Sequence, residues 1–91
     1  MNFKHNKNDI SLLNDEKAVV AYVEFPELAK GIVNVTTTFV SESMQGQGVA
    51  GKLMKELVHN LEQTNRKAIL TCTYTRNWFS KHPEFSNLLI K

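Results

Sequence analysis

The sequence predicts an α+β fold in which an antiparallel β-meander leads into a βαβ crossover whose last two strands are parallel, closed by a short aromatic C-terminal helical segment. Three observations carry this. Apolar and polar positions alternate over residues 1–40, the pattern then changes to a helical period, and a second β-branched stretch follows the helix. Ile10 and Leu12, with Phe3 ahead of them, mark a first strand region, and Asn14, Asp15, Glu16 and Lys17 form a polar turn. Residues 18–25 are a β-branched and aromatic run that Pro26 ends, because proline has no N–H to give a ladder. Residues 27–31 are expected as the next turn. Residues 32–40 read as one long strand, rich in Val, Thr and Phe, with Val33, Val35, Thr37 and Phe39 on its more apolar face. After a polar loop over residues 41–48, Val49, Ala50, Leu53, Met54, Leu57, Val58 and Leu61 recur on one side of a helix. Lys52, Lys55, Glu56, His59, Asn60 and Glu62 take the other side, and Thr64 and Asn65 end it. Residues 67–74 are expected as a strand with Ala68, Leu70, Cys72 and Tyr74 on one face, and an aromatic tail, helical or irregular, runs from Asn77 to the end. Strand, helix and strand connect right-handedly, so the strands at 32–40 and 67–74 should be parallel neighbours.

The chain has 91 residues, enough for one domain over residues 1–91 and too few for two. Apolar residues make up 42% and charged residues 22%, ordinary values for a chain that buries a core. A net charge of +2 is too small to drive phosphate-backbone binding, so nucleic acid is not the expected partner. The longest apolar run, residues 18–23, is far short of the roughly 20 residues a membrane span needs, and no leader pattern opens the chain. A soluble, cytoplasmic protein is expected. A single cysteine forms no internal disulfide, so Cys72 is either a buried small hydrophobe or a working thiol.

The informative stretch is Ser43-Met44-Gln45-Gly46-Gln47-Gly48-Val49-Ala50-Gly51-Lys52, at the join between strand and helix. Glycines there let the backbone approach a ligand and turn its N–H groups outward, and a helix start adds partial positive charge, which together make an anion cradle. The plain alternative is a tight turn before a helix. Gly46, Gly48 and Gly51 spell the dinucleotide fingerprint, yet residues 67–75 offer no acid for a ribose. Gly46, Gly51 and Lys52 approach a P-loop, yet Leu53 stands where a magnesium-binding hydroxyl belongs. Neither nucleotide pattern is met in its chemistry.

The pattern Gln45-x-x-Gly48-x-Ala50 between strand and helix resembles the acetyl-coenzyme A (acetyl-CoA) loop of the GNAT acetyltransferases. The order of strands around it is similar to theirs as well. The short chain, the Met-Gln-Gly-Gln-Gly-Val loop, Thr71-Cys72-Thr73-Tyr74 and Lys81-His82-Pro83-Glu84-Phe85 resemble the small YjdJ-type subgroup. The resemblance covers roughly residues 10–89 and implies a minimal GNAT-like fold with acetyl-CoA as cosubstrate and no metal. It implies that Gln45, Gly46, Gln47, Gly48, Val49, Ala50 and Gly51 hold the pyrophosphate, with the pantetheine arm between the strands at 32 and 67. Lys52 either adds charge or is a solvated surface residue. The implied activity is acetyl transfer to an amine, on a small molecule or a protein, by a monomer or weak homodimer; the alternative is a non-catalytic acyl-CoA binding or sensing module.

Acetyl transfer needs a donor that polarises the carbonyl, a base for the ammonium and an acid for the leaving thiolate. The resemblance implies a backbone amide around residues 39–41 as the donor. Cys72 lies at the end of its strand nearest the glycine loop, and in the resembling subgroup the cysteine of this segment faces the acetyl group. It would take the acetyl group as a thiolate, or return a proton to CoA. His82 follows ten residues on and becomes its base if the tail folds back; otherwise it is a surface histidine before Pro83. His59 and His5 read as exposed bystanders, and Trp78, Phe79 and Phe85 as caps on the core. Helices that build the acceptor site in larger GNAT chains are replaced here by the turn at 14–17, so either the acceptor is small, or a partner or dimer mate supplies the missing wall, or the chain keeps the cofactor site without turnover.

Overall fold

The computed structural model describes residues 1–90. Along the chain come β1 (Asn2–His5), β2 (Asp9–Leu13), β3 (Val19–Glu24), β4 (Glu27–Ala29), β5 (Ile32–Val35), β6 (Thr37–Val40), α1 (Val49–Thr64), β7 (Lys67–Leu70) and α2 (Thr73–Ser80), with 3-10 turns at Glu42–Met44 and Pro83–Leu88. They form two sheets, β1-β2-β3-β6, which is antiparallel, and β4-β5-β7, in which β5 and β7 are parallel. No helix among the described residues is long and apolar enough to cross a membrane.

The α+β fold and the parallel crossover are as the periodicity predicts; the boundaries differ in four places. Phe3 belongs to its own strand, β1, joined to β2 by residues 6–8. The expected turn at 27–31 contains β4, and only Lys30 and Gly31 reverse the chain, Gly31 at φ +79°. The expected strand 32–40 breaks at Thr36. Thr36 N–H donates to Glu24 O at 3.0 Å although the register pairs Glu24 with Thr37, so one extra residue is inserted there and the chain bends. The first half stays with β7 and the second half turns away to β3. The insertion also flips the side-chain parity: Val33 and Val35 are fully buried, but Phe39 is 43% exposed and stacks on Tyr22 at 5.2 Å. Finally, β7 ends at Leu70, because Thr71 and Cys72 both donate to Val35 O at 3.1 Å and β6, having turned away, offers nothing further. Cys72 is therefore the cap residue before α2 and not a strand residue beside Tyr74.

The core forms where α1 lays Leu53, Met54, Leu57 and Leu61 against Ile10, Val23, Val33 and Phe25, all fully buried. Helix α1 packs on β2, β3 and β6, α2 packs on β7, and the two helices touch, so both cover the same side. Past the end of α1, Asn65 adopts φ 56° and caps the helix by donating to Glu62 O and Leu61 O. The next residue, Arg66, is 8% exposed and donates to Lys7 O (2.9 Å), Asn60 Oδ1 (3.0 Å) and Thr64 Oγ1 (2.9 Å) while lying over the Phe25 ring. This ties the β1–β2 turn to the helix end. Arg66→Leu, which strips the buried Asn60 Oδ1 and the part-buried Lys7 and Thr64 oxygens of their donor, is expected to lower the unfolding free energy in urea by roughly 2 kcal/mol.

Candidate functional site

The bend at Thr36 leaves β6 with one open edge. Ser41 N–H donates to Val20 O at 2.8 Å, which sets the phase of the β3–β6 ladder. Thr37 and Phe39 then direct their backbone groups at β3, and Thr38 and Val40 direct theirs at the open edge. Gln45 Nε2 donates to Val40 O at 3.2 Å. Among the described residues nothing pairs with the Val40 N–H or with either backbone group of Thr38, which leaves them to a ligand lying along that edge.

The glycine loop stands beside the edge. Gln47 Nε2 donates to Ser43 O at 3.2 Å, which folds the loop on itself. Gly46 and Gly48 have φ of +81° and +73°, a region that costs an L side chain energy. Helix α1 starts at Val49 with no side chain capping it, and Lys52 N–H to Gly48 O at 3.2 Å is the first closure of its ladder. Among the described residues no acceptor meets the amides of residues 46–51. A Cβ built at Gly46, Gly48 or Gly51 meets nothing within 4 Å, so the space over these amides is open. Unpartnered donors at the positive end of a helix bind an anion without a metal. Lys52 is exposed one turn into α1 and in no ion pair among the described residues.

Cys72 closes the other side of the gap. Its Sγ lies 3.7 Å from Thr38 Oγ1, so the thiol stands against the open edge of β6. Burial pushes the thiol up, but the backbone of Thr75 and Tyr74 in the first turn of α2 and the side chains of Thr38 and Thr75 favour the thiolate more strongly and hold Cys72 below its ordinary value. Thr75, fully buried, donates its hydroxyl to Cys72 O at 2.9 Å and fixes this first turn of α2. Tyr74 sits in the same turn, 39% exposed, its hydroxyl pushed up by partial burial. Thr38 and the helical placement of Tyr74 are the site features the sequence reading missed. The run Thr71-Cys72-Thr73 was the available signal, since hydroxyl residues gather at helix starts.

His82 is not brought to Cys72. The eight residues of α2 separate them, about 12 Å of helix rise. Its Nδ1–H donates to Trp78 O at 2.7 Å and its ring stacks on Trp78 at 3.9 Å, in an aromatic group with Phe85. His5 bridges Glu56 (2.8 Å) and Asn60 (3.0 Å), and His59 is exposed on α1.

A family model described as GCN5-related N-acetyl-transferase matches residues 9–88. No curated protein matches the chain. Among solved structures, a GCN5-like protein from Staphylococcus aureus is similar at 25% identity and TM-score 0.78, over 98% of this chain and 87% of that one. YhbS from Escherichia coli, solved with CoA, is similar at 23% identity and TM-score 0.65, over 75% of this chain and 43% of its own. Rv2747 from Mycobacterium tuberculosis, also solved with CoA, shares 15% identity at TM-score 0.66, over 85% of this chain and 48% of its own. The chain thus spans under half the length of the latter two.

Proposed function

The chain belongs to the GCN5-related N-acetyltransferase family, and from that premise we propose that it transfers the acetyl group of acetyl-CoA to an amine, in the cytoplasm. The observation that carries the reading is the run of amides at residues 46–51 that have no partner among the described residues, beside a strand edge that none of those residues covers. The pyrophosphate takes those amides, with Gln45, Val49, Ala50 and Lys52 around it, and the pantetheine arm lies in the gap between β6 and β7. The thioester carbonyl then accepts from Val40 N–H, which favours the oxyanion of the tetrahedral intermediate over the ground-state carbonyl. Cys72, its thiol held below the ordinary value and standing against the same edge, takes the acetyl group as a thiolate and passes it to the amine. The C–S bond to CoA breaks as that intermediate collapses, and the CoA thiolate takes a proton, a role we assign to the Tyr74 hydroxyl in the first turn of α2. The finer likeness to the YjdJ-type group, which we propose, rests on the short chain, the loop at 44–49, the 71–74 segment and the 81–85 tail.

A second reading, an acyl-CoA binding module without turnover, is favoured by one observation: His82 stands at the far end of α2 and leaves Cys72 with only hydroxyl and backbone partners. Incubation with acetyl-CoA separates the two, by one acetyl group appearing on Cys72, or on an added amine, in intact-mass spectra. CoA binding without either product sinks the transferase reading. Gly51 supplies a further check. Its φ is ordinary and its surroundings open, so nothing in the fold requires glycine there. Gly51→Ala is expected to stabilise the helix by roughly 0.5–1 kcal/mol and yet weaken CoA binding, because the methyl enters the ligand's space; melting and calorimetry read the two signs.

A further inference from the structure

The buried Ile10, Leu12, Ala21 and Val23 turn toward α1, so the alternate residues of those strands form the other side of the β1-β2-β3-β6 sheet, on which no element packs among the described residues. The register orders that side into rows. One row across the strands is Lys4, Ser11, Tyr22 and Phe39; the row on one flank carries Asp9, Glu24 and Thr37, and the row on the other carries Leu13 and Val19. Its apolar part is open: Val19 is 51% exposed, and Phe39, also exposed, stacks on Tyr22. Exposed apolar groups rimmed by charge mark an interaction surface. Neither Lys4 nor Glu24 is in an ion pair among the described residues, and Asp9 only accepts from Asn6 Nδ2 at 2.8 Å.

The spacing of these residues says what fits. Lys4 and Asp9 are one strand and two residues apart, and Val19 and Phe39 are one strand and two residues apart in the same direction. With strands about 4.8 Å apart and a rise of about 3.4 Å per residue, the four stand at the corners of a near-rectangle of roughly 8 by 12 Å, and Tyr22 lies close to its long midline. A two-fold axis along that midline, between two copies face to face, sets each Lys4 against the partner's Asp9 with the partner's Glu24 beside it. It also sets each Val19 against the partner's Phe39, and Tyr22 against the partner's Tyr22. The strands then cross at roughly 70°, near the orthogonal class of packed sheets. An isologous contact requires such a match of a face with itself. It also relieves Asp9 and Glu24, which are like charges in a direct cross-strand pair. The same rotation carries the partner's turn at 14–17 beyond β6 to the level of Thr38, on the side of the open edge away from Cys72.

We propose that this face binds a second copy of the chain, and that the partner's turn walls the gap between β6 and β7 from the side opposite Cys72. The pairing of copies is independent of the transferase reading; only the role of the wall rests on it. A second copy suits the face better than a uniformly acidic or basic partner, since the face carries both signs and either partner would meet its like. Four strands by five residues make a contact of roughly 19 by 17 Å, at the small end for a specific interface, so the dimer is weak, with Kd on the order of 100 µM.

Sedimentation velocity on the whole chain, from about 10 µM to about 1 mM, tests this, and the parent should pass from monomer to dimer across that range. Lys4→Glu, and separately Asp9→Lys, set like charges against each other across the axis and should weaken the dimer about tenfold or more. The double variant Lys4→Glu/Asp9→Lys restores opposite signs and should pair about threefold more tightly than either single variant. A parent that stays monomeric throughout leaves the face to another protein and overturns the proposal. So does a dimer that neither single variant weakens, or a double variant that pairs no better than the singles. In turnover with propylamine, activity per chain should rise over the concentrations at which the dimer forms; activity that stays flat while the dimer forms overturns the wall. Absence of turnover at every concentration would sink the transferase reading instead, because sedimentation still reports on the face.

Discussion

Gly48→Asp is expected to abolish CoA binding in a protein that still folds. Gly48 has φ 73° and ψ 14°, and aspartate and asparagine are the side chains that tolerate this left-handed region best, at about 1 kcal/mol. A Cβ there meets nothing within 4 Å, so no clash is added. What changes is charge. A carboxylate one residue before α1 lies within reach of the amides the pyrophosphate needs, and accepts from them itself. It also repels the bound phosphates by about 3 kcal/mol per charge pair at 5 Å and an effective dielectric near 20, less where solvent screens it. The combined effect should weaken CoA at least a hundredfold, roughly 3 kcal/mol. Gly48→Asn supplies the control, with the same shape and backbone strain and no charge, and should stay within about tenfold of the parent. Calorimetry against CoA, with circular dichroism to confirm folding, decides. An Asp variant that binds as tightly as the Asn variant removes the cradle from the mechanism.

What could be read in advance follows from where the controlling forces act. Helix α1 was legible because its buried residues Val49, Leu53, Met54, Leu57, Val58 and Leu61 repeat at the period of its own backbone. The left-handed glycines were legible because local sterics demand them. The break at Thr36 was not, since Val35-Thr36-Thr37-Thr38 is β-branched throughout and suits either half-strand. The bend is decided by two partners distant in sequence, β7 drawing on Ile32–Val35 and β3 on Thr37–Val40. The same non-locality hid the site. Thr38 meets Cys72 across 34 residues, and no local pattern announces it. The alternation Ala68, Leu70, Cys72, Tyr74 imitated a strand although the ladder stops at Leu70, and α2 rising between Cys72 and His82 separates a pair that looked close in the sequence.

Cys72→Ala is expected to lose acetyl transfer by at least a hundredfold, about 3 kcal/mol of barrier, if the thiolate carries the acetyl group, while CoA affinity, which resides in the loop, is retained. The pH profile then says which proton state works. Cys72 is held below its ordinary value by the donors around it, so in the folded protein thiolate appears at lower pH than in an unfolded chain. A nucleophilic role makes the rate rise with pH and level off above that depressed value; an acid role makes it fall through the same window. Thr38→Val removes one of the donors and should move the whole curve to higher pH, and alkylation of Cys72 by iodoacetamide should follow the same displacement without any turnover. Linkage gives the sign for stability. A depressed acid adds stability that is fully present only above the unfolded thiol value and is lost as pH falls through the folded one, so at neutral pH Thr38→Val should alter reactivity far more than melting. A rate that declines with pH, together with retained transfer in Cys72→Ala, would assign the chemistry to direct attack by the amine on the thioester at the edge of β6.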